Sequence, residues 1–207
     1  YSSFQEYLLA KDISNYIKPD IFILQFCEND YIDNHLVWDR EISGRNTYLR
    51  RPYYSEKEKI KYNKNILSIL YRNSIITNSK ILNKLGILFE IQERKFFPVN
   101  RNVNVKKVVS ESKYVTLSLV SKIRELFSES KSYIVNCNAN IRKDEIIIPF
   151  PELATIAGYI LIESPPNKIE LMRENRKLFN QDGAHLSPLG NKIYGEELAN
   201  KLILLDQ

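Results

Sequence analysis

The 207-residue chain is poor in the residues that announce several common functions. Its 6 glycines are nowhere clustered. With no Gly-rich turn to cradle a phosphate after a strand, a flavodoxin-like binder ranks last among the functions considered. The 2 cysteines, Cys27 and Cys137, offer neither metal-ligand spacing nor a Cys-x-x-Cys redox pair. No metal or organic cofactor is expected. Both cysteines fall near the carboxyl ends of strand-like runs and read as reduced, buried small hydrophobes. A disulfide between them would need an oxidising compartment and an awkward geometry across adjacent strands. No apolar run approaches the roughly 18–20 residues of a membrane helix, and no signal peptide is visible. The charge excess is small, 30 Lys and Arg against 25 Asp and Glu for a net +5. Without a known motif, that excess does not point to DNA or RNA as a partner.

What remains is ordinary globular composition, 43% hydrophobic and 27% charged. A chain of this length holds one sizeable core, so a single domain over 1–207 is expected, with an insertion at about 38–108. Phe4, Leu8, Leu9, Ile13, Tyr16 and Ile17 recur at helical spacing and stop at Pro19, which predicts a helix over 3–17. The near-continuous apolar run at 20–26 predicts a strand buried on both faces of a parallel sheet. Residues 31–54 have no clean period, 55–92 read as one or two helices with a lysine-rich face, and 93–108 read as a loop. A helix at 110–128, a strand at 133–137, a short helix near 151–157 and a last strand at 159–162 follow. Ser187-Pro188 then starts a helix that Leu189, Ile193, Tyr194, Leu198, Leu202 and Leu205 carry to the end. Helices alternating with short apolar strands predict a parallel, three-layer α/β sheet.

Two stretches carry residue types suited to acyl-transfer chemistry. In Asp182-Gly183-Ala184-His185, a turn through glycine lets the carboxylate reach the imidazole and fix its tautomer. A plain Asp-Gly turn with a surface histidine is the other reading. In Cys27-Glu28-Asn29-Asp30, Asn29 falls just beyond the carboxyl end of a strand, where its amide can donate to a developing oxyanion. A turn that caps the next segment is the alternative there. His35 shows no partner at a telling distance and reads as surface; Asp33 and Asn34 read as turn residues.

In order, the two blocks resemble the SGNH (GDSL-type) hydrolases. In that family an Asn-Asp pair follows the third strand, and an Asp-x-x-His block precedes the last helix. Tyr1-Ser2-Ser3-Phe4-Gln5 is similar to the segment after the family's second-block glycine, and Lys18-Pro19-Asp20 leads into the strand as in relatives. The likeness covers about 1–37 and 131–207. It implies the three-layer flavodoxin-like fold, His185 as base, Asp182 as its orienting acid and Asn29 in the oxyanion hole.

This chain departs from the family at Cys27, where the block usually has glycine. The Gly-Asp-Ser nucleophile block should precede Tyr1 and is not in the sequence given. Ser2 and Ser3 do not replace it, so the chain is expected to be an N-terminally incomplete piece, inactive alone. The resemblance also implies an extracytoplasmic location, with a possible membrane anchor upstream.

The stretch 31–54 mixes Tyr and Trp38 with Arg40, Arg45, Arg50 and Arg51. Trp38, Arg50 and Arg51 are therefore expected substrate contacts, joined by Asp30 beside Asn29, which otherwise caps the following turn, and a glycan O-acyl ester is the expected substrate. A solvated surface loop is the competing account. The function expected is ester hydrolysis, or acyl transfer to a sugar hydroxyl; a non-catalytic glycan- or anion-binding module is the alternative.

Overall fold

The computed structural model describes residues 2–27, 29–39, 52–54, 79, 104–136, 148–162, 176–180 and 186–205. The chain forms two compact units: Tyr1–Lys18 with Asn29–Leu126, and Pro19–Glu28 with Phe127–Gln207.

The second unit is a small α/β layer structure. Strands β1 (Ile21–Phe26), β2 (Lys131–Asn136) and β3 (Ile160–Ile162) form a parallel sheet in the order β1-β2-β3. Ile21 pairs with Lys131 and Phe26 with Asn136, while Tyr133 pairs with Ile160. Alternation along the strands sorts the core by face. Tyr133, Val135 and Ile162 are buried on one side with Ile23, against Tyr194, Leu198 and Leu202 of the C-terminal helix. On the other face Phe22 stacks on Phe127, and Phe26 lies parallel to Phe150 with ring centroids 6.0 Å apart. Phe150 opens the short helix Phe150–Ala157, which ends on Gly158 at φ 76. That left-handed cap, open to glycine without a Cβ penalty, turns the chain directly into β3.

The described part of the first unit is mostly helical. Helix α1 (Ser3–Ile13) starts on a capping box: Ser2 Oγ accepts from the Gln5 amide, and Gln5 Oε1 accepts from the Ser2 amide. It ends before the predicted residue 17 because side chains take its last carbonyls. Ser14 Oγ and Asn15 Nδ2 both donate to the Lys11 carbonyl. Only part of the expected apolar stripe is buried: Phe4 is covered, whereas Tyr16 is 83% exposed. Helix α2 (Asp30–Asp33) is a single turn. Helix α3 (Val105–Leu126) begins five residues earlier than predicted, since Asn104 caps it by accepting from the Lys107 amide at 3.1 Å. Both α1 and α2 pack on α3, whose buried stripe is Val108, Ser112, Thr116, Leu119, Val120 and Ile123. The helices read at 55–92 and most of the proposed insertion lie outside the described residues.

In chain order, Phe150–Ala157 is α4 and Pro188–Leu205 is α5. The strands at 20–26, 133–137 and 159–162 and the last two helices are found within two residues of their predicted ends at the boundaries the sequence addressed. Among the described residues, no helix is long and apolar enough to cross a membrane.

Candidate functional site

Asn29 stands three residues past the end of β1 and opens α2. Its backbone is helical, at φ −63 and ψ −14, and its carbonyl accepts from the amides of Ile32 and Asp33. The side chain makes no capping bond; Nδ2 donates to Asp33 Oδ2 at 2.8 Å. The turn that follows is fastened by side chains from distant parts of the same unit. Asp30, 1% exposed, accepts from Ser3 Oγ at 3.2 Å. Asn34, fully buried, accepts from the Phe4 amide through Oδ1 and donates through Nδ2 to Thr116 Oγ1, each at 2.9 Å. Ser112 Oγ donates to the Tyr31 carbonyl. These contacts explain why two small polar residues sit in the buried stripe of α3: they serve the backbone and side chains of α2.

In the other unit, Asp182 and His185 lie outside the described residues, but the base of the stretch that carries them is described. Phe179 and Leu186 form an antiparallel bridge after a 3-10 turn at Arg176–Leu178. The Ser187 amide donates to the Leu178 carbonyl at 2.9 Å, and Asn180 Nδ2 donates to the Leu186 carbonyl at 3.2 Å. Ser187 Oγ accepts from the Gly190 amide at 3.1 Å, the cap expected from Ser-Pro, and donates to the Lys177 carbonyl at 2.7 Å. Gly190 is buried where a Cβ would collide with the Leu178 carbonyl oxygen. Close approach of the backbone, and not a special φ, is what requires glycine here.

The remaining named residues fall differently. Asp30 is interior, bonded to Ser3, rather than open to a ligand. Trp38 is 4% exposed and leaves no open ring face for stacking on a sugar. Arg50 and Arg51 lie outside the described residues. Ser2 and Ser3 are fully buried, one as a helix cap and the other on Asp30. His35 corrects the expectation of an unpartnered surface residue. Its Nε2 lies 3.2 Å from Glu111 Oε2, and its Nδ1 accepts from the Trp38 amide at 3.3 Å. Both ring nitrogens of His35 thus have partners within the protein.

Cys27 is disulfide-bonded, which corrects its reading as a reduced thiol. β1 and β2 end level, Phe26 opposite Asn136, one residue before each cysteine of the sequence. That register could have been anticipated only by aligning the two strands. Among the described residues, no three of His, Cys, Asp and Glu gather closely enough to hold a metal ion.

Compared with known proteins, the chain matches no family model, no curated protein and no solved structure. The residues that sequence reasoning missed are Asp33, Glu111, Ser112 and Thr116. Only the Asn29–Asp33 spacing, one helical turn, was a local signal.

Proposed function

We propose that this chain belongs to a serine ester hydrolase of SGNH type, with the three-layer flavodoxin-like fold, acting on acyl esters and on carbohydrate O-acyl esters in particular. One observation carries the reading: three residues after a parallel strand ends, Asn29 bears a side-chain amide held by a short hydrogen bond. Two others support it. The stretch with Asp182 and His185 is bridged at its base and runs straight into a capped helix. Among the described residues β1 has a neighbour on one edge only, which leaves an edge for the strands that would precede it in this fold.

In this mechanism an upstream serine Oγ attacks the ester carbonyl while His185 takes its proton and Asp182 holds the imidazolium. Asn29 and backbone amides stabilise the oxyanion. The intermediate collapses with proton return to the leaving alcohol. Water then releases the acid, or a sugar hydroxyl takes the acyl group, which would make the protein an O-acyltransferase. Arg50 and Arg51 would contact the glycan. The disulfide at Cys27 supports an extracytoplasmic location, where such bonds persist.

A second reading, a glycan- or anion-binding module without turnover, rests on the Arg-rich stretch at 31–54.

The deciding experiment is the intact mass of the protein purified from its source, before and after a fluorophosphonate probe, with ester turnover measured alongside. One adduct, and turnover reduced roughly 10⁴-fold or more by His185→Ala, is the expected result. No adduct and no turnover would overturn the hydrolase and leave the binding module as the reading to test.

A further inference from the structure

We infer that Asp33 is a positioning residue for Asn29, setting which way its amide faces; this rests on the hydrolase reading above. An asparagine side chain has one accepting and one donating end, and the two differ little in shape. An oxyanion site works only if the donating end is presented. An ionised carboxylate can only accept. By accepting from Nδ2 at 2.8 Å, Asp33 Oδ2 excludes the flipped amide, which would set Oδ1 against a carboxylate oxygen.

Asp33 is itself well fixed. It is 3% exposed, and its amide donates to the Asn29 carbonyl at 2.9 Å. Its neighbours Asp30 and Asn34 are bonded to Ser3, Phe4 and Thr116. The carboxylate is thus held by a turn that cannot swing freely, and the amide is held by the carboxylate. An amide nitrogen carries two hydrogens; Asp33 takes one, and the other remains to meet a ligand oxygen. The cost of this arrangement is a negative charge near a developing oxyanion, so the benefit is orientation and not charge stabilisation. The sign of that cost distinguishes the variants.

The test measures kcat and KM on p-nitrophenyl acetate with the full-length protein. Asp33→Leu, which keeps the branching at Cγ and removes the acceptor, should lower kcat about ten- to hundredfold, with KM changed less than about twofold. Asp33→Asn removes the charge but can meet Asn29 through either end of its own amide, and should therefore recover only part of that loss. In an Asn29→Ala background, Asp33→Leu should cost nothing further, because there is no amide left to orient. A merely structural Asp33 would cost the same in both backgrounds, and that result, or an unchanged kcat in Asp33→Leu, overturns the inference.

Should Asp33→Leu fail to fold, the wild-type protein answers through its Asn29 side-chain amide protons by NMR. One proton shifted downfield and slow to exchange supports the pair; two alike, fast-exchanging protons overturn it. Wild-type protein that neither turns over ester nor takes the fluorophosphonate overturns the hydrolase reading, while the amide spectrum still decides whether Asp33 holds Asn29.

Discussion

The turn after β1 and the stretch before α5 each bring a candidate site residue to the start of a helix, but they are fastened by different means. Before α5 the backbone does most of the work. A bridge between Phe179 and Leu186, an amide-to-carbonyl bond from Ser187 to Leu178 and a serine cap all act within a dozen residues. At α2 the fastening is by buried side chains, whose partners lie 27, 30 and 82 residues away at Ser3, Phe4 and Thr116. A backbone clamp tolerates side-chain change except where space is lacking. A buried side-chain clamp fails whenever one member is removed, because the remaining partner is left desolvated and unpaired.

The largest effect should therefore come from α2. Asn34→Ala removes one group that satisfies two buried partners, and should cost about 2–4 kcal/mol in urea unfolding. A loss below about 1 kcal/mol would mean that water replaces the amide and that the side-chain clamp is no stronger than the backbone one. Next comes the one place where the backbone clamp is sensitive. Gly190→Ala drives a Cβ into the Leu178 carbonyl and should cost about 1–3 kcal/mol, with faster amide exchange at Ser187 and Gly190. Unchanged exchange there would show that the bridge yields without loss.

The smallest effect separates the two regions by pH. Burial raises the Glu6 carboxyl in α1 from 4.5 to about 7, and its Oε2 has no hydrogen-bond partner among the described residues. The folded state then holds the proton more tightly than the unfolded chain. Stability at α1 should be fully kept below about 4.5 and fall as pH rises to about 7, by on the order of 1–2 kcal/mol after screening of a partly exposed group. Glu6→Gln should flatten that slope in amide exchange of α1 and leave the residues around Ser187 unaffected. A slope that survives the substitution would assign it to another group.

The same contrast explains what could be read in advance. Ser187-Pro188 announced α5, and the cap is there. The apolar runs at 20–26 and 159–162 announced strands, and they form in a parallel sheet. Trp38 and His35 were misplaced because composition cannot say which side of a turn faces the core. Trp38 is interior, and His35 meets a glutamate 76 residues away. The stripe of α3 was legible at Leu119, Val120 and Ile123 and illegible at Ser112 and Thr116, since a polar residue in an apolar stripe signals a partner without naming it.

The amino-acid sequence by itself determined where α1, β1, β3, α4 and α5 begin to within a residue, because propensity, capping and apolar period act over a few residues. It also determined that Asn29 would follow a strand and that Asp182 and His185 would precede a helix. Only the tertiary structure decided that Cys27 is bonded, that Asp30 and Asn34 are buried, and that the Asn29 amide rests on Asp33. Apart from the Asn29–Asp33 contact, those outcomes depend on groups brought together from far apart in the chain, and no local preference encodes which distant partner a buried polar group will meet.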